Sequence, residues 1–225
     1  MKEIVQKVKN LEKKASKFGF SFTEIQLEKF GLYAETLLSW NQRFNLVSKN
    51  DASFEELIKH FIDSLVIFKF VDLPLNSKLL EIGSGNGFPA FPIKIFREDL
   101  DYTLVESIRK KALFLQKVIE NLKFSDIEVK NMRVENLEES YKNYFDFATA
   151  KKVAPVDEVW KLCYPYLKSG GTLLAYKGKK MEEEVKKMPK VLEKYPGELK
   201  VEEITLPEFR IKRYVVMVRK DSRPR

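Results

Sequence analysis

The sequence predicts an α/β fold in which a mostly parallel, doubly wound sheet of seven strands follows an N-terminal group of helices. Up to residue 72 the apolar residues recur at helical spacing only, whereas from residue 79 short apolar runs alternate with amphipathic helical segments. The last two strands follow each other without a helix between them, so we expect the last strand to run antiparallel. We divide the chain into a helical extension, residues 1–72, and a second domain, residues 73–225, packed as one unit.

The composition limits the kinds of partner, metal site and compartment that this protein can have. The chain has 225 residues, a net charge of +8 and a pI near 9.3, which favours a polyanionic partner. Its single cysteine, Cys163, excludes internal disulfides, argues against a cysteine-built metal site and indicates a reducing, cytoplasmic setting. No apolar leader or membrane-length apolar run is present in the sequence, so we expect no membrane partner. With a single cysteine, we also expect no bound metal.

Capping signatures divide the first 72 residues into helices. Ser21 with Glu24, and Ser53 with Glu56, have the spacing in which a hydroxyl and a carboxylate cap a helix start. Apolar stripes follow each pair, and an earlier stripe ends at Gly19. These patterns predict three helices.

The second domain alternates strands and helices. We predict strands at residues 79–82, 102–106, 127–130, 145–150, 172–176, 201–206 and 214–219. Helices are expected at residues 88–97, 108–122, 155–167 and 181–193, with Ser169, Gly170 and Gly171 ending the third of these.

A glycine loop follows the first strand and opens a helix. The loop reads Glu81-Ile82-Gly83-Ser84-Gly85-Asn86-Gly87-Phe88. Glycines let a ligand approach the backbone, and a strand, a glycine loop and a helix N-terminus together form a nucleotide-binding arrangement. Glu106, 23 residues after Gly83, ends the next strand. This is near the spacing of roughly 20 residues at which a carboxylate meets ribose hydroxyls.

The loop differs from the dinucleotide pattern. Phe88 stands where the last glycine of that pattern would be, and no phosphate-binding lysine follows. With Glu81 inside the motif and an antiparallel last strand, these features favour S-adenosylmethionine over a nicotinamide. A nicotinamide-dependent oxidoreductase stays as an alternative.

Several blocks in one order resemble the RsmG/GidB family over roughly residues 20 to 220. The glycine loop continues into Phe88-Pro89 and Pro92, and later blocks read Thr103-Leu104-Val105-Glu106-Ser107 and Arg133-Val134-Glu135. Before the loop, Trp40-Asn41, Asn45-Leu46 and Lys59-His60-Phe61-Ile62-Asp63-Ser64 match as well. The family's members are S-adenosylmethionine-dependent enzymes that form 7-methylguanosine in small-subunit (16S) ribosomal RNA.

The resemblance implies a class I S-adenosylmethionine-dependent methyltransferase, Rossmann-like, in residues 73–225. It implies cofactor contacts along the loop, with Glu106 at the ribose and with Val134 and Glu135 at the adenine. Lys151 takes the place of a family arginine, so it keeps the charge but not the planar fork. The expected cofactor residues are Glu81, Gly83, Gly85, Gly87, Phe88, Glu106, Val134, Glu135 and Lys151.

Methylation at guanine N7 needs no general base, since that nitrogen already carries an in-plane lone pair. Catalysis can therefore rest on alignment of nitrogen, methyl and sulfur, with Lys151 as a positioning group. The fourth strand ends in Ala148-Thr149-Ala150-Lys151, not in the [DN]-P-P-[YF] motif of amine methylation. Cys163 is expected on a buried helix face, where it is a poor nucleophile.

His60, the only histidine, is predicted to be a structural imidazole with Asp63 as a helix cap or hydrogen-bond partner. The partner implied is small-subunit ribosomal RNA, free, in the 30S particle or in an assembly intermediate, bound by a monomer. A methyltransferase acting on protein or a small molecule and a non-catalytic RNA-binding module remain alternatives. Basic residues expected to contact RNA are Arg109, Lys110, Lys152, Lys177 and Lys179.

Overall fold

The computed structural model describes residues 2–222, in which helices and strands follow the predicted order. The α-helices are α1 (Lys2–Ser16), α2 (Glu24–Asn41), α3 (Phe54–Leu65), α4 (Ala90–Phe96), α5 (Arg109–Leu122), α6 (Val156–Cys163), α7 (Met181–Val185) and α8 (Met188–Lys194). The strands are β1 (Lys78–Ile82), β2 (Asp101–Val105), β3 (Ile127–Lys130), β4 (Phe145–Lys151), β5 (Leu167–Lys177), β6 (Gly197–Leu206) and β7 (Ile211–Lys220).

All seven strands form one sheet in the order β3-β2-β1-β4-β5-β7-β6. Neighbours from β3 to β5 are parallel, and β7 lies antiparallel between β5 and β6. The mostly parallel seven-stranded sheet with an antiparallel last strand is confirmed. The strand order reverses between β1 and β4, and the crevice at the carboxyl ends of strands around such a point is where open α/β sheets bind ligands.

The N-terminal helices share a core with one face of the sheet. Leu37 of α2 and Phe61 of α3 are fully buried in the same apolar cluster as Leu79 of β1, Phe91 of α4 and Phe114 of α5. The opposite face packs a second cluster, which includes residues of α6. Burial of both faces explains why the inner strands are largely apolar instead of alternating between apolar and polar residues. The division of the chain at residue 72 stays a prediction.

The first capping prediction is wrong by two residues. Thr23, not Ser21, caps α2: its hydroxyl accepts a hydrogen bond from the Gln26 amide at 3.2 Å, and its own amide donates to Gln26 Oε1 at 2.9 Å. Gln26 takes the part expected of Glu24, since either side chain can complete a capping box. The start of α3 is confirmed, because the Ser53 hydroxyl accepts from the Glu56 amide at 3.3 Å.

Two predictions near the C-terminus are also wrong. The helix predicted at 155–167 ends at Cys163, and residues 169–171 lie inside β5 rather than ending that helix. The register between β4 and β5 shifts here, and Gly170 has φ of +76°. The glycines therefore allow an irregularity within β5 and do not end a helix.

The helix predicted at 181–193 is two short helices, α7 and α8. Pro189, which has no amide hydrogen to donate, lies in the first turn of α8, where none is needed. Met181 at the start of α7 and Met188 at the start of α8 are buried, so this segment packs against the rest of the protein.

Candidate active site

The turn after β1 places three glycines in left-handed conformation for different reasons. Gly83, Gly85 and Gly87 have φ of +63°, +55° and +87°. A Cβ on Gly87 would lie 2.1 Å from the Phe91 ring, so packing of α4 alone requires glycine there. A Cβ on Gly83 would meet Val153 at 3.0 Å, and one on Gly85 would meet only the Gly83 carbonyl oxygen, at 3.6 Å. The first two glycines leave the backbone open for a ligand.

Two cavities lie at this turn and share Gly83. The larger, about 270 Å³, is lined by Leu46, Val47, Ser48, Asp51, His60, Gly83, Ser84, Gly85, Asn86, Phe88, Lys111, Lys151 and Lys152. The smaller, about 150 Å³, is lined by Ile82, Gly83, Val105, Ser107, Met132, Arg133, Val134, Glu135, Val153 and Leu162. The predicted cofactor residues Gly83, Gly85, Phe88, Lys151, Val134 and Glu135 thus line one or other of these two adjacent cavities, which together we call the groove.

Glu106 ties the end of β2 to the glycine loop. Its carboxylate accepts hydrogen bonds from the Gly85 amide at 2.8 Å and from the Ile108 amide at 2.7 Å. The side chain is buried, and each oxygen keeps a further lone pair for a hydroxyl donor. This arrangement fits a carboxylate that receives ribose hydroxyls and at the same time holds the loop in shape.

Three residues predicted as cofactor contacts, Glu81, Gly87 and Glu106, line neither cavity. Glu81 is fully buried and accepts a short hydrogen bond from the Thr149 hydroxyl of the neighbouring strand, while Glu81 Oε1 has no partner. Burial raises the pKa of Glu81 to about 8, against the opposing effects of Thr149 and Lys151. Its buried position indicates that Glu81 supports the glycine loop from the protein interior and does not contact a ligand.

Lys151 ends β4 inside the larger cavity. Its ammonium group lies 2.8 Å from Asp63 Oδ2 and 3.3 Å from the Ser64 hydroxyl, between the Phe88 and Tyr176 rings. Burial lowers the pKa of Lys151, and the Asp63 charge opposes that shift. The side chain is 5% exposed, so it presents little of its charge to the cavity and anchors α3 to the sheet.

His60 lies against the loop, but its partner is not Asp63. Its Nε2 lies 3.0 Å from Asp51 Oδ1, and its ring centroid lies 5.4 Å from that of Phe88. Burial and the Lys151 charge lower the pKa of His60 to about 4, so the imidazole is neutral at pH 7. Asp63 instead pairs with Lys151 and with Arg213 of β7, whose Nε lies 3.0 Å from it.

Sequence reasoning missed the segment 46–51, which forms one wall of the larger cavity. The Asn86 side chain donates to the Leu46 carbonyl at 3.0 Å, and the Tyr33 hydroxyl donates to the Asn86 carbonyl at 2.6 Å. The Val47 amide donates to the Asn41 side chain at 2.9 Å. Asn86 occupies a variable position of the glycine motif, and the only signal at the segment was the family block Asn45-Leu46, to which we assigned no role in the site.

The predicted RNA-contacting residues separate into three groups. Lys152 is exposed, has φ of +59° and lines the larger cavity. Arg109 and Lys110 are exposed at the start of α5, and Lys179 is exposed after β5. Lys177 is engaged internally, 2.7 Å from Glu184 and donating to the Ala154 carbonyl at 2.5 Å. Lys111, which lines the larger cavity, was not among the predicted contacts.

Within residues 2–222, no His, Cys, Asp and Glu side chains cluster in a way that would hold a metal ion. The same part of the chain has no helix with the length and apolar character that crossing a membrane requires.

The family model for rRNA small subunit methyltransferase G matches residues 26–211. The chain belongs to this family. Ribosomal RNA small subunit methyltransferase G of Thermoanaerobacter sp. (strain X514) is 34% identical over 92% of this chain and 87% of the relative. The protein of the same name from Clostridium beijerinckii is 36% identical over 95% of this chain and 90% of the relative. The resemblance of the glycine loop and its flanking blocks to the RsmG/GidB family is therefore confirmed.

A solved structure agrees on the fold. The tRNA (m1A58) methyltransferase TrmI from Aquifex aeolicus superposes with a TM-score of 0.55 at 19% identity, covering 70% of this chain and 68% of that one. The class I methyltransferase fold predicted for this member of the methyltransferase G family is confirmed.

Proposed function

We propose that this protein transfers the methyl group of S-adenosylmethionine to ring nitrogen 7 of a guanine in small-subunit ribosomal RNA. The observation that carries the proposal is the groove of two cavities that meet at Gly83, at the switch point of a methyltransferase sheet. Membership of the methyltransferase G family supports the RNA acceptor.

The groove fits the parts of the cofactor. The smaller cavity is largely apolar and includes Val134 and Glu135, which suits an adenine ring. Glu106 lines neither cavity but accepts from the Gly85 amide of the loop, and we assign its remaining lone pairs to the ribose hydroxyls. The larger cavity, with Gly85 and Phe88, suits the methionine end and the acceptor. When bound, S-adenosylmethionine supplies a sulfonium methyl group to the acceptor.

The groups around the larger cavity can position a base but offer no strong proton acceptor. His60 is neutral at pH 7 and donates its Nε2 hydrogen toward Asp51, while Lys151 is paired with Asp63. Guanine N7 attacks through a lone pair already in the ring plane and loses no proton. Holding nitrogen, methyl and sulfur in line is therefore sufficient for the reaction.

The cavity rim attracts a polyanion. Lys111 and Lys152 line the larger cavity, Arg109 and Lys110 lie nearby on α5, and the chain carries a net charge of +8. Phosphate contacts of this kind hold an RNA in place without reading its sequence.

We place the reaction in the cytoplasm, with the protein acting as a monomer.

The test is methyl transfer from labelled S-adenosylmethionine to small-subunit RNA that lacks the modification, presented free, in 30S particles and in an assembly intermediate. We expect one labelled guanosine, identified as 7-methylguanosine by mass analysis, in at least one of the three substrates. Label on another base or ring position would refute the N7 assignment, and label on no substrate would refute the proposal.

Calorimetry tests the cofactor separately. We expect binding of S-adenosylhomocysteine and none of NAD. Binding of NAD alone would favour an oxidoreductase, and binding of neither would favour a non-catalytic RNA-binding module.

A further inference from the structure

One carboxylate lies among the residues that line the larger cavity, that of Asp51. The other charged side chains there are Lys111, Lys151 and Lys152, which suit a polyanionic substrate. An ionised acid in the same cavity repels phosphate, so its presence in an RNA-binding site requires another explanation.

Asp51 is held ionised and in one orientation. Its Oδ1 accepts from His60 Nε2 at 3.0 Å and from Lys59 Nζ at 3.2 Å, and its Oδ2 accepts from the Ser48 hydroxyl at 2.8 Å. Burial works to raise the pKa of Asp51, but hydrogen bonds from Ser48, His60 and Lys59 outweigh it and keep the pKa well below its usual range.

The carboxylate nevertheless keeps capacity for a ligand. The side chain is 21% exposed, and its Oδ2 accepts from one hydroxyl, so that oxygen retains a free lone pair. The Ser48 hydroxyl beside it lines the cavity too and can rotate to accept or donate.

A purely structural role explains Asp51 poorly. Lys59 already has a partner in Glu56, at 2.9 Å, on the exposed side of α3. A carboxylate needed only to neutralise Lys59 would not have to face the cavity. Asp51 instead connects to the cofactor loop through His60, whose ring lies against Phe88.

Guanine has the complementary groups. Its N1–H and its 2-amino group are donors on the ring edge away from N7, and a carboxylate only accepts. Adenine lacks both the N1 hydrogen and the 2-amino group. A guanine bound by this edge to the wall formed by residues 46–51 turns N7 away from that wall.

We infer that Asp51, positioned by His60 and Lys59, selects the target base by accepting a hydrogen bond on Oδ2 from the 2-amino group of guanine, while the Ser48 hydroxyl beside it accepts from N1–H. The inference rests on the proposed methylation at N7. It makes Asp51 a specificity-determining residue that touches the acceptor base.

The test compares the same small-subunit RNA with guanosine or inosine at the target position, since inosine lacks the 2-amino group. For the wild-type protein we expect kcat/KM to be about tenfold or more lower on inosine, the effect of one lost hydrogen bond to a charged acceptor. For Asp51→Ala we expect slower methylation of guanosine and a guanosine-to-inosine ratio near one. Asp51→Asn, which keeps the shape and one acceptor, should give an intermediate ratio.

Glu56→Ala is the matched control. It removes the other carboxylate that pairs with Lys59, outside the cavity, and should keep the wild-type ratio. Glu56→Ala should also bind S-adenosylhomocysteine as the wild type does.

An Asp51→Ala or Asp51→Asn protein that methylates guanosine slowly but keeps the wild-type ratio would overturn the inference, because a structural role lowers both rates together. A wild-type ratio near one would overturn it as well. Failure of the wild type to methylate guanosine in any RNA would instead refute the proposed function, and the inference with it.

Discussion

The ammonium group of Lys151 lies 2.8 Å from Asp63 Oδ2, and both side chains are almost completely removed from solvent. Arg213 approaches the other oxygen of Asp63 at 3.0 Å, so one carboxylate joins α3 to β4 and β7. Burial works to raise the pKa of Asp63, but the charges of Lys151 and Arg213 outweigh it and lower the pKa. The ion pair of Lys151 and Asp63 therefore connects α3 to the sheet at the larger cavity.

Asp63→Asn should destabilise the protein strongly, because it leaves the Lys151 ammonium buried without its counter-charge. Removal of one partner of a buried pair costs about 3–5 kcal/mol, which denaturant unfolding would measure. Adding Lys151→Met should recover part of the loss, since a buried apolar side chain needs no partner. An Asp63→Asn protein as stable as the wild type would contradict this account.

Glu81 should make stability fall as pH rises. Its pKa is raised to about 8 in the folded protein from 4.5, so between these values the unfolded chain releases a proton that the folded protein keeps. The contribution is fully present below pH 4.5 and is lost as pH rises toward 8, in total about 4–5 kcal/mol by linkage.

Glu81→Gln removes the titrating group and keeps an acceptor for Thr149. We expect the difference in unfolding free energy between this variant and the wild type to shift in favour of the variant from pH 5 to pH 8, measured with urea. A difference independent of pH would show that Glu81 is already ionised in the folded protein.

Gly83 and Gly87 should respond differently to the same substitution. Gly87→Ala places a Cβ 2.1 Å from the Phe91 ring at φ of +87°, so we expect a loss of stability of about 3 kcal/mol or more. Gly83→Ala should cost about 1–2 kcal/mol for its left-handed backbone and weaken binding of S-adenosylhomocysteine, because the new methyl enters the groove beside Val153.

Thermal unfolding and calorimetry separate the two effects. Gly83→Ala with Val153→Ala should regain part of the lost binding, since Val153 is the side chain that the new Cβ meets. Equal binding by Gly83→Ala and the wild type would remove this glycine from the cofactor site.

Cys163→Ala should leave methyl transfer largely intact. Cys163 is the last residue of α6, is fully buried as expected, and lines neither cavity. Burial raises the pKa of its thiol, so no thiolate is available as a nucleophile. We expect a loss of stability of about 1 kcal/mol from the lost packing and an unchanged rate with S-adenosylmethionine. Loss of activity in a folded variant would contradict this.

Local patterns determined much about this protein. Apolar periodicity and glycine position depend on neighbours in sequence, so the order of helices and strands, the antiparallel last strand and the glycine loop could all be predicted. Glu106 could be expected at the site because it follows the end of a strand next to the glycine loop, whereas Val134 and Glu135 could be expected there only from the family resemblance. Errors arose where two local solutions compete, as with Ser21 and Thr23 as helix caps or residues 169–171 as a helix end or part of a strand.

Only the tertiary structure decided which polar groups meet. Asp51 and His60 lie on separate elements, and Asp63 finds Lys151 and Arg213 from β4 and β7, pairings that no local spacing encodes. The tertiary structure also gave the residues of the glycine motif different roles. Gly87 leaves space for the Phe91 ring and Glu81 is fully buried, whereas Gly83 and Gly85 line the groove. The physical reason is that burial and charge depend on all elements packed around a residue, whereas sequence periodicity reports only the face on which that residue lies.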